Sequence, residues 1–185
     1  LLSGVLCIAL CLSFASARAA DIIPTRSVTP NGITVLFLEQ HFLPTVEIHA
    51  LVKVGSAQDP PDKAGLANLT ASLLDEGTVT QTSRQIAEQI DFVGGSLRAH
   101  ATEDFTTASA RVLKKDADLG FTLLADMLQH PAFHKQEFER VRTQILGEII
   151  SDDDDPGNVA MKAFHQLIFH GHPYSWPAHG TEETL

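Results

Sequence analysis

The residues of this chain with the chemistry to bind a metal or move a proton fall into a few groups. Three of the nine histidines sit close together near the C-terminus: His165, then His170-Gly171-His172. Neighbouring imidazoles suggest a transition-metal site, but their spacing matches neither a closed nor an open zinc site, so they read as loop and surface histidines. His41, His49, His100, His130, His134 and His179 are scattered singly and read as surface or hydrogen-bonded side chains. The run Asp152-Asp153-Asp154-Asp155 raises the possibility of calcium. It lacks the alternating ligand positions and distant bidentate Glu of a calcium loop, and reads as a solvated break that also starts a helix. Ser72 as a hydrolytic nucleophile would need a strained turn and a base, and it has neither in the middle of a helical pattern.

The elements that must position these residues follow from periodicity and punctuation. Pro30-Asn31-Gly32 marks a turn before a strand over residues 33–38, and a second strand runs from Val46 to Val54 after the break at Pro44. A rigid loop, Asp59-Pro60-Pro61-Asp62, leads into a helix with Leu66, Leu69, Leu73 and Leu74 on one side, ending at Gly77. Thr82-Ser83-Arg84-Gln85 matches a capping box and opens a helix carrying Ile86, Ile90 and Val93 up to Gly94-Gly95.

Ser96 to Ala101 and Phe105 to Leu113 then read as a hairpin. Asp116 is placed to cap a third helix, with Leu119, Leu123, Leu124, Met127 and Leu128 in its stripe and Pro131 at its end. A fourth helix carries Phe138, Val141, Ile145 and Ile149, and a fifth spans residues 159–169. Thr181-Glu182-Glu183 resembles the start of a further helix. Strands followed by paired helices, twice over, predict an α+β fold: a mostly antiparallel sheet with helices packed on one face.

Composition narrows the classes of function. The chain has 185 residues, 44% of them hydrophobic and 19% charged, enough for one core of ordinary size. Thirteen basic against 23 acidic residues give a net charge of −10, so there is no basic surface to neutralise a phosphate backbone and nucleic acid is not an expected partner. Residues 1–20 read as a secretion signal peptide whose start is truncated. They begin without Met or a basic segment, run apolar and uncharged from Leu1 to Ala17, and reach the small-x-small pattern Ala17-Arg18-Ala19. The chain is therefore expected to be exported, to the periplasm, with residues 21–185 as its mature domain and no membrane span there. Cys7 and Cys11 both lie in the leader, so the mature chain has no thiol.

The order of several short words is more specific. Thr29-Pro30-Asn31-Gly32-Ile33, Val54-Gly55-Ser56, Lys63-Ala64-Gly65-Leu66-Ala67, Glu76-Gly77-Thr78, Gly94-Gly95-Ser96-Leu97, Ile145-Leu146-Gly147-Glu148-Ile149, Asp154-Asp155-Pro156 and Gly171-His172-Pro173-Tyr174 occur in sequence. Together they make the chain resemble the N-terminal domain of the pitrilysin/insulinase family of zinc peptidases, which includes the mitochondrial processing peptidases. The resemblance implies a metallopeptidase domain that is incomplete at its C-terminus. A second domain, with the Arg and Tyr that contact substrate in active members, would lie beyond it.

Active members resemble one another in an H-x-x-E-H helix: two His at i and i+4 reach one zinc ion and the Glu activates a water. The register of Gly65-Leu66-Ala67 and Glu76-Gly77-Thr78 puts Asn68 and Ser72 at the His positions and Ala71 at the general base. The third family ligand, a Glu on a later helix, matches Glu148, 76 residues after Ser72. An amide and a hydroxyl are poor zinc ligands and a methyl moves no proton, so neither a bound metal nor a catalytic residue is expected. Glu148 is expected to pair with a nearby cation or to hydrogen-bond Asn68 and Ser72.

The resemblance also implies an edge strand that pairs with extended peptide. Here Arg98-Ala99 replaces the family's Asn-Ala, making Arg98, Ala99, His100, Ala101 and Thr102 the candidate peptide-binding residues, with the open edge sought over residues 101–106. The reading this favours is a non-catalytic subunit or half that binds peptide or unfolded polypeptide and pairs with an active zinc peptidase partner or as a homodimer. The alternatives are an active zinc-dependent metalloendopeptidase, with zinc as its cofactor, and a purely structural member of a larger assembly.

Overall fold

The structure is a computed structural model that describes residues 23–185. The expected signal peptide and both cysteines lie outside the described residues. The chain divides into two compact units, one up to Leu43 and one from Pro44 to Leu185.

In the first unit β1 (Thr25–Val28) pairs antiparallel with β2 (Thr34–Phe37). The turn between them closes through Gly32 N–H to Thr29 C=O (2.9 Å) and Thr29 N–H to Ile33 C=O (2.9 Å), as Pro30-Asn31-Gly32 leads one to expect. Strand β1 is not evident in the sequence. All four of its residues are exposed, so burial imposes no pattern on them.

The second unit holds β3 (Thr45–Val52), α1 (Leu66–Leu73), α2 (Ser83–Phe92), β4 (Ser96–Ala101), β5 (Thr106–Leu113), α3 (Ala117–Gln129), α4 (Lys135–Asp153) and α5 (Pro156–Ile168). Its three strands form an antiparallel sheet in the order β3-β5-β4, which makes β4 an edge. Alternation along each strand sorts the side chains into two faces. The rows Ile48–Ala110–Leu97 and Ala50–Ala108–Ala99 lie on one face, where Leu123, Leu124 and Met127 of α3 and Ile86 and Ile90 of α2 complete the core. The opposite face is polar and carries the Arg111–Glu47 ion pair at 2.6 Å. The α+β fold with helices on one side of an antiparallel sheet is therefore as expected.

A second apolar cluster joins α1 to α4: Leu69 and Leu73 pack against Val141, Ile145 and Ile149. Each buried Leu or Ile contributes about 1.5–3 kcal/mol, so this seam fixes the two helices that flank the candidate site. Helix α2 opens with the expected capping box: Thr82 Oγ1 accepts from Gln85 N–H (3.3 Å) and Gln85 Oε1 accepts from Thr82 N–H (2.9 Å). Asp155 caps α5 by accepting from Gly157 N–H (2.7 Å) and Asn158 N–H (3.2 Å).

One detail differs from expectation. Asp116 occupies the cap position of α3 but makes no cap hydrogen bond. A 3-10 turn over Lys114–Asp116 precedes the helix, and the Asp116 carboxylate pairs with Lys115 instead (2.8 Å). Thr181-Glu182-Glu183 forms the single helix-like turn its sequence suggests, closed by Leu185 N–H to Thr181 C=O (3.3 Å). No helix among the described residues is long and apolar enough to cross a membrane.

Candidate functional site

Helix α1 carries the family positions, and its start is built without a local cap. Gly65, at φ +96°, supplies no side chain. The Asp59 carboxylate reaches back from the preceding loop and accepts from Gly65 N–H (3.0 Å) and Ala67 N–H (3.1 Å), satisfying two of the helix's free donors. Burial pushes the Asp59 carboxyl up, and these amide hydrogen bonds oppose the shift.

From this start Asn68 and Ser72 fall on one side of the helix at i and i+4, and with Asp75, in the turn just past the helix's end, they line a cleft of about 380 Å³. Gln144 and Glu148 of α4 line the same cleft, together with Arg98, Ala99 and His100 of β4. The structure thus brings together Asn68, Ser72 and Glu148, the positions singled out in the sequence. Ala71 points elsewhere and is wholly buried.

Glu148 does not make the expected contacts. Its Oε1 accepts from Gln144 Nε2 at 3.0 Å, one helical turn away on its own helix, rather than from a cation or from Asn68 and Ser72. Burial, reinforced by the neighbouring Glu76, raises the Asp75 carboxyl above its ordinary value, while Arg140 and Arg98 pull it down. Glu76 is held by Arg140, which also bonds Glu137 (2.8 Å). Asp75, Gln144 and Asp59 were not found by sequence reasoning. Its place three residues after Ser72 is the signal for Asp75, and the i, i+4 spacing to Glu148 pointed to Gln144.

The donors at this site do not fit zinc. An amide and a hydroxyl stand at the two positions where imidazoles would be needed, which leaves the Glu148 carboxylate as the one ordinary zinc ligand of the three. Among the described residues no group of three His, Cys, Asp or Glu could hold a metal ion.

The β4 edge has a definite register. Thr102 N–H donates to Phe105 C=O (2.7 Å), and counting back along the ladder aims the backbone groups of His100, Arg98 and Ser96 at β5. Those of Leu97, Ala99 and Ala101 therefore face away from the sheet. The open edge is β4 itself and not the span 101–106 as expected. Thr102 and Glu103 at the hairpin tip already give their carbonyls to Ser56 N–H (3.0 Å) and Ala57 N–H (2.9 Å), and Tyr174 Oη donates to Asp104 Oδ1 (2.7 Å).

Comparison with known proteins fits this arrangement. The profile of the insulinase family (peptidase family M16) matches residues 34–182, and the chain belongs to that family. A protein of Rickettsia bellii named as an uncharacterized zinc protease is 31% identical over 155 residues, 84% of this chain and 38% of the relative. A Mycobacterium leprae protein named in the same way is 32% identical over 170 residues, 92% of this chain and 38% of the relative. The chain thus spans about two fifths of the length of these relatives.

Among solved structures, a peptidase M16 inactive domain from Pseudomonas fluorescens superposes with a TM-score of 0.82 at 26% identity, covering 87% of this chain and 39% of that one. A Helicobacter pylori protease, at 21% identity and TM-score 0.79, shares the fold.

Proposed function

We propose that this chain is an exported, non-catalytic peptidase-family half or subunit that binds extended peptide along β4 and pairs with an active zinc peptidase. The observation that carries this reading is the replacement of the H-x-x-E-H set by Asn68, Ala71 and Ser72, beside an edge strand whose outward backbone groups are free of the sheet. Strand addition needs only backbone donors and acceptors, so peptide capture survives the loss of hydrolysis. The likeness to an inactive M16 domain supports the same reading, and the apolar segment from Leu1 to Ala17 with its small-x-small end supports export.

The test is to purify the chain and measure bound zinc and peptide cleavage, alone and mixed with a partner carrying an intact H-x-x-E-H helix. The expected result is no stoichiometric zinc and no cleavage alone, with peptide binding that is lost when the guest peptide's backbone amides are N-methylated. Zinc and cleavage by the lone chain would establish the second reading, an active zinc metalloendopeptidase, which the names of the zinc-protease relatives favour.

A further inference from the structure

We propose that a second cavity, between α5 and residues 175–179, binds one ring of a neutral sugar. It shares no lining residue with the cleft beside β4, and the inference is independent of strand addition and of the zinc positions.

The argument starts from an unmet polar atom. The cavity holds about 180 Å³ and is lined by Asn158, Lys162 and His165 of α5, by Asp152 of α4, and by Trp176 and His179. His179 Nε2 is buried and has no hydrogen-bond partner among the described residues. Asp152 Oδ2 lies 3.5 Å from it without forming a hydrogen bond. A buried polar atom left in this way is destabilising until something supplies the missing partner. A hydroxyl oxygen about 2.8 Å from each atom does so. It accepts from the imidazole N–H when the proton is on Nε2, and it donates to the carboxylate. An ammonium only donates and a carboxylate only accepts.

The rest of the lining excludes other ligand classes. Asp152 Oδ1 already accepts from Asn158 Nδ2 (3.1 Å), and Lys162 Nζ is held by Asp153 (2.8 Å). An anion would therefore find the one lysine engaged and a carboxylate of its own sign beside it, while a cation would face Lys162. Among the described residues no group of three His, Cys, Asp or Glu could hold a metal ion. A wholly apolar ligand would leave His179 Nε2 unpaired. Trp176, the chain's one tryptophan, is 51% exposed and offers an indole face on which the C–H side of a pyranose packs. Ser175 and Gln166 add neutral partners for further hydroxyls. Pockets for drug-sized ligands begin near about 300 Å³, so this one takes a single ring.

The test uses the full chain and methyl β-glucopyranoside, glucosamine and glucuronate, with binding read by saturation-transfer NMR and calorimetry. The neutral glucoside should bind in the low-millimolar range, at least about fivefold more tightly than either charged sugar. Trp176→Ala should weaken it about tenfold, whereas Trp176→Phe, which keeps an aromatic face, should stay within about threefold. Asp152→Asn should weaken it about fivefold, and this variant carries the test if Trp176→Ala does not fold. Cellobiose binding as well as the glucoside would mark the terminal ring of a glycan, and its exclusion a free monosaccharide; either result supports the site. No binding of the glucoside at about 50 mM, tighter binding of a charged sugar, or an affinity unchanged in folded Trp176→Ala or Asp152→Asn would overturn the proposal.

Discussion

Gly65 and Gly180 meet backbone to backbone. A Cβ on Gly180 would lie 2.4 Å from the Ala64 carbonyl oxygen, and one on Gly65 would lie 2.7 Å from the His179 carbonyl oxygen. Both glycines have positive φ, +96° and +84°. The C-terminal segment thus braces the start of the helix that carries Asn68, Ala71 and Ser72. Gly180→Ala combines a disfavoured φ with a clash against backbone that cannot swing away. It should cost at least about 1–3 kcal/mol, seen as a lower denaturant midpoint. Gly147, inside α4 with open space around its Cβ position, is the control: Gly147→Ala should stabilise by about 0.5–1 kcal/mol.

The seam between α1 and α4 makes a second prediction. Leu73 and Ile145 are buried there at 4% and 2% exposure, so neither site is already open to water. Leu73→Ala or Ile145→Ala should each cost about 2–5 kcal/mol by equilibrium unfolding. Losses below about 1 kcal/mol would mean that the two helices are not packed as described.

Asp126 and Asp59 should bend the stability profile in opposite directions in acid. The Thr78 hydroxyl, with Thr80 and His130 adding to it against partial burial, holds the Asp126 carboxyl below its ordinary 3.8. Its contribution is present above that value and is lost as pH falls through the lowered one. Burial holds the Asp59 carboxyl above 3.8, so the folded state binds that proton more tightly and stability is gained as pH falls from the raised value towards 3.8. Urea midpoints measured across this acid range should lose their downward limb in Asp126→Asn and their upward component in Asp59→Asn. An unchanged profile in both variants would refute the assignment.

If the side chains at Asn68 and Ser72, and not the scaffold, set this cleft apart from a zinc site, placing the family ligands there should create one. Asn68 and Ser72 sit one turn apart and share their cleft with Glu148. Asn68→His with Ser72→His should therefore take up one zinc per chain, read by atomic absorption after dialysis. With Ala71 still at the general-base position, it should cleave nothing. Failure of the folded variant to bind zinc would show that Glu148, tied to Gln144, is unable to turn towards α1.

Much of the fold could be read because burial and capping write themselves into residue order. The Thr82–Gln85 box is a local device and was placed correctly, and the Leu69, Leu73, Val141, Ile145 and Ile149 stripes gave both partners of the α1–α4 seam. What escaped depends on contacts between distant residues or on the absence of burial. Asp59 caps a helix from six to eight residues away, so no motif window contains the pair. Strand β1 buries nothing. The order β3-β5-β4, which makes β4 an edge, is decided by which hairpin arm reaches β3, and no local pattern encodes that. Asn68, Ser72 and Glu148 are legible through family spacing, whereas Asp75, just past the end of α1, carries no family role.

The tether at the hairpin tip gives the β4 ledge a direction. From Leu97 to Ala101 the outward rungs extend about 13 Å, and beyond them the route is shut by Ser56 and Ala57, whose amides already hold the Thr102 and Glu103 carbonyls, the second of them the next outward rung. On the strand-addition reading, a polypeptide lying there would halt at that stop and could overhang only past Ser96. The shelf therefore favours chain ends and short loops over the middle of a long strand.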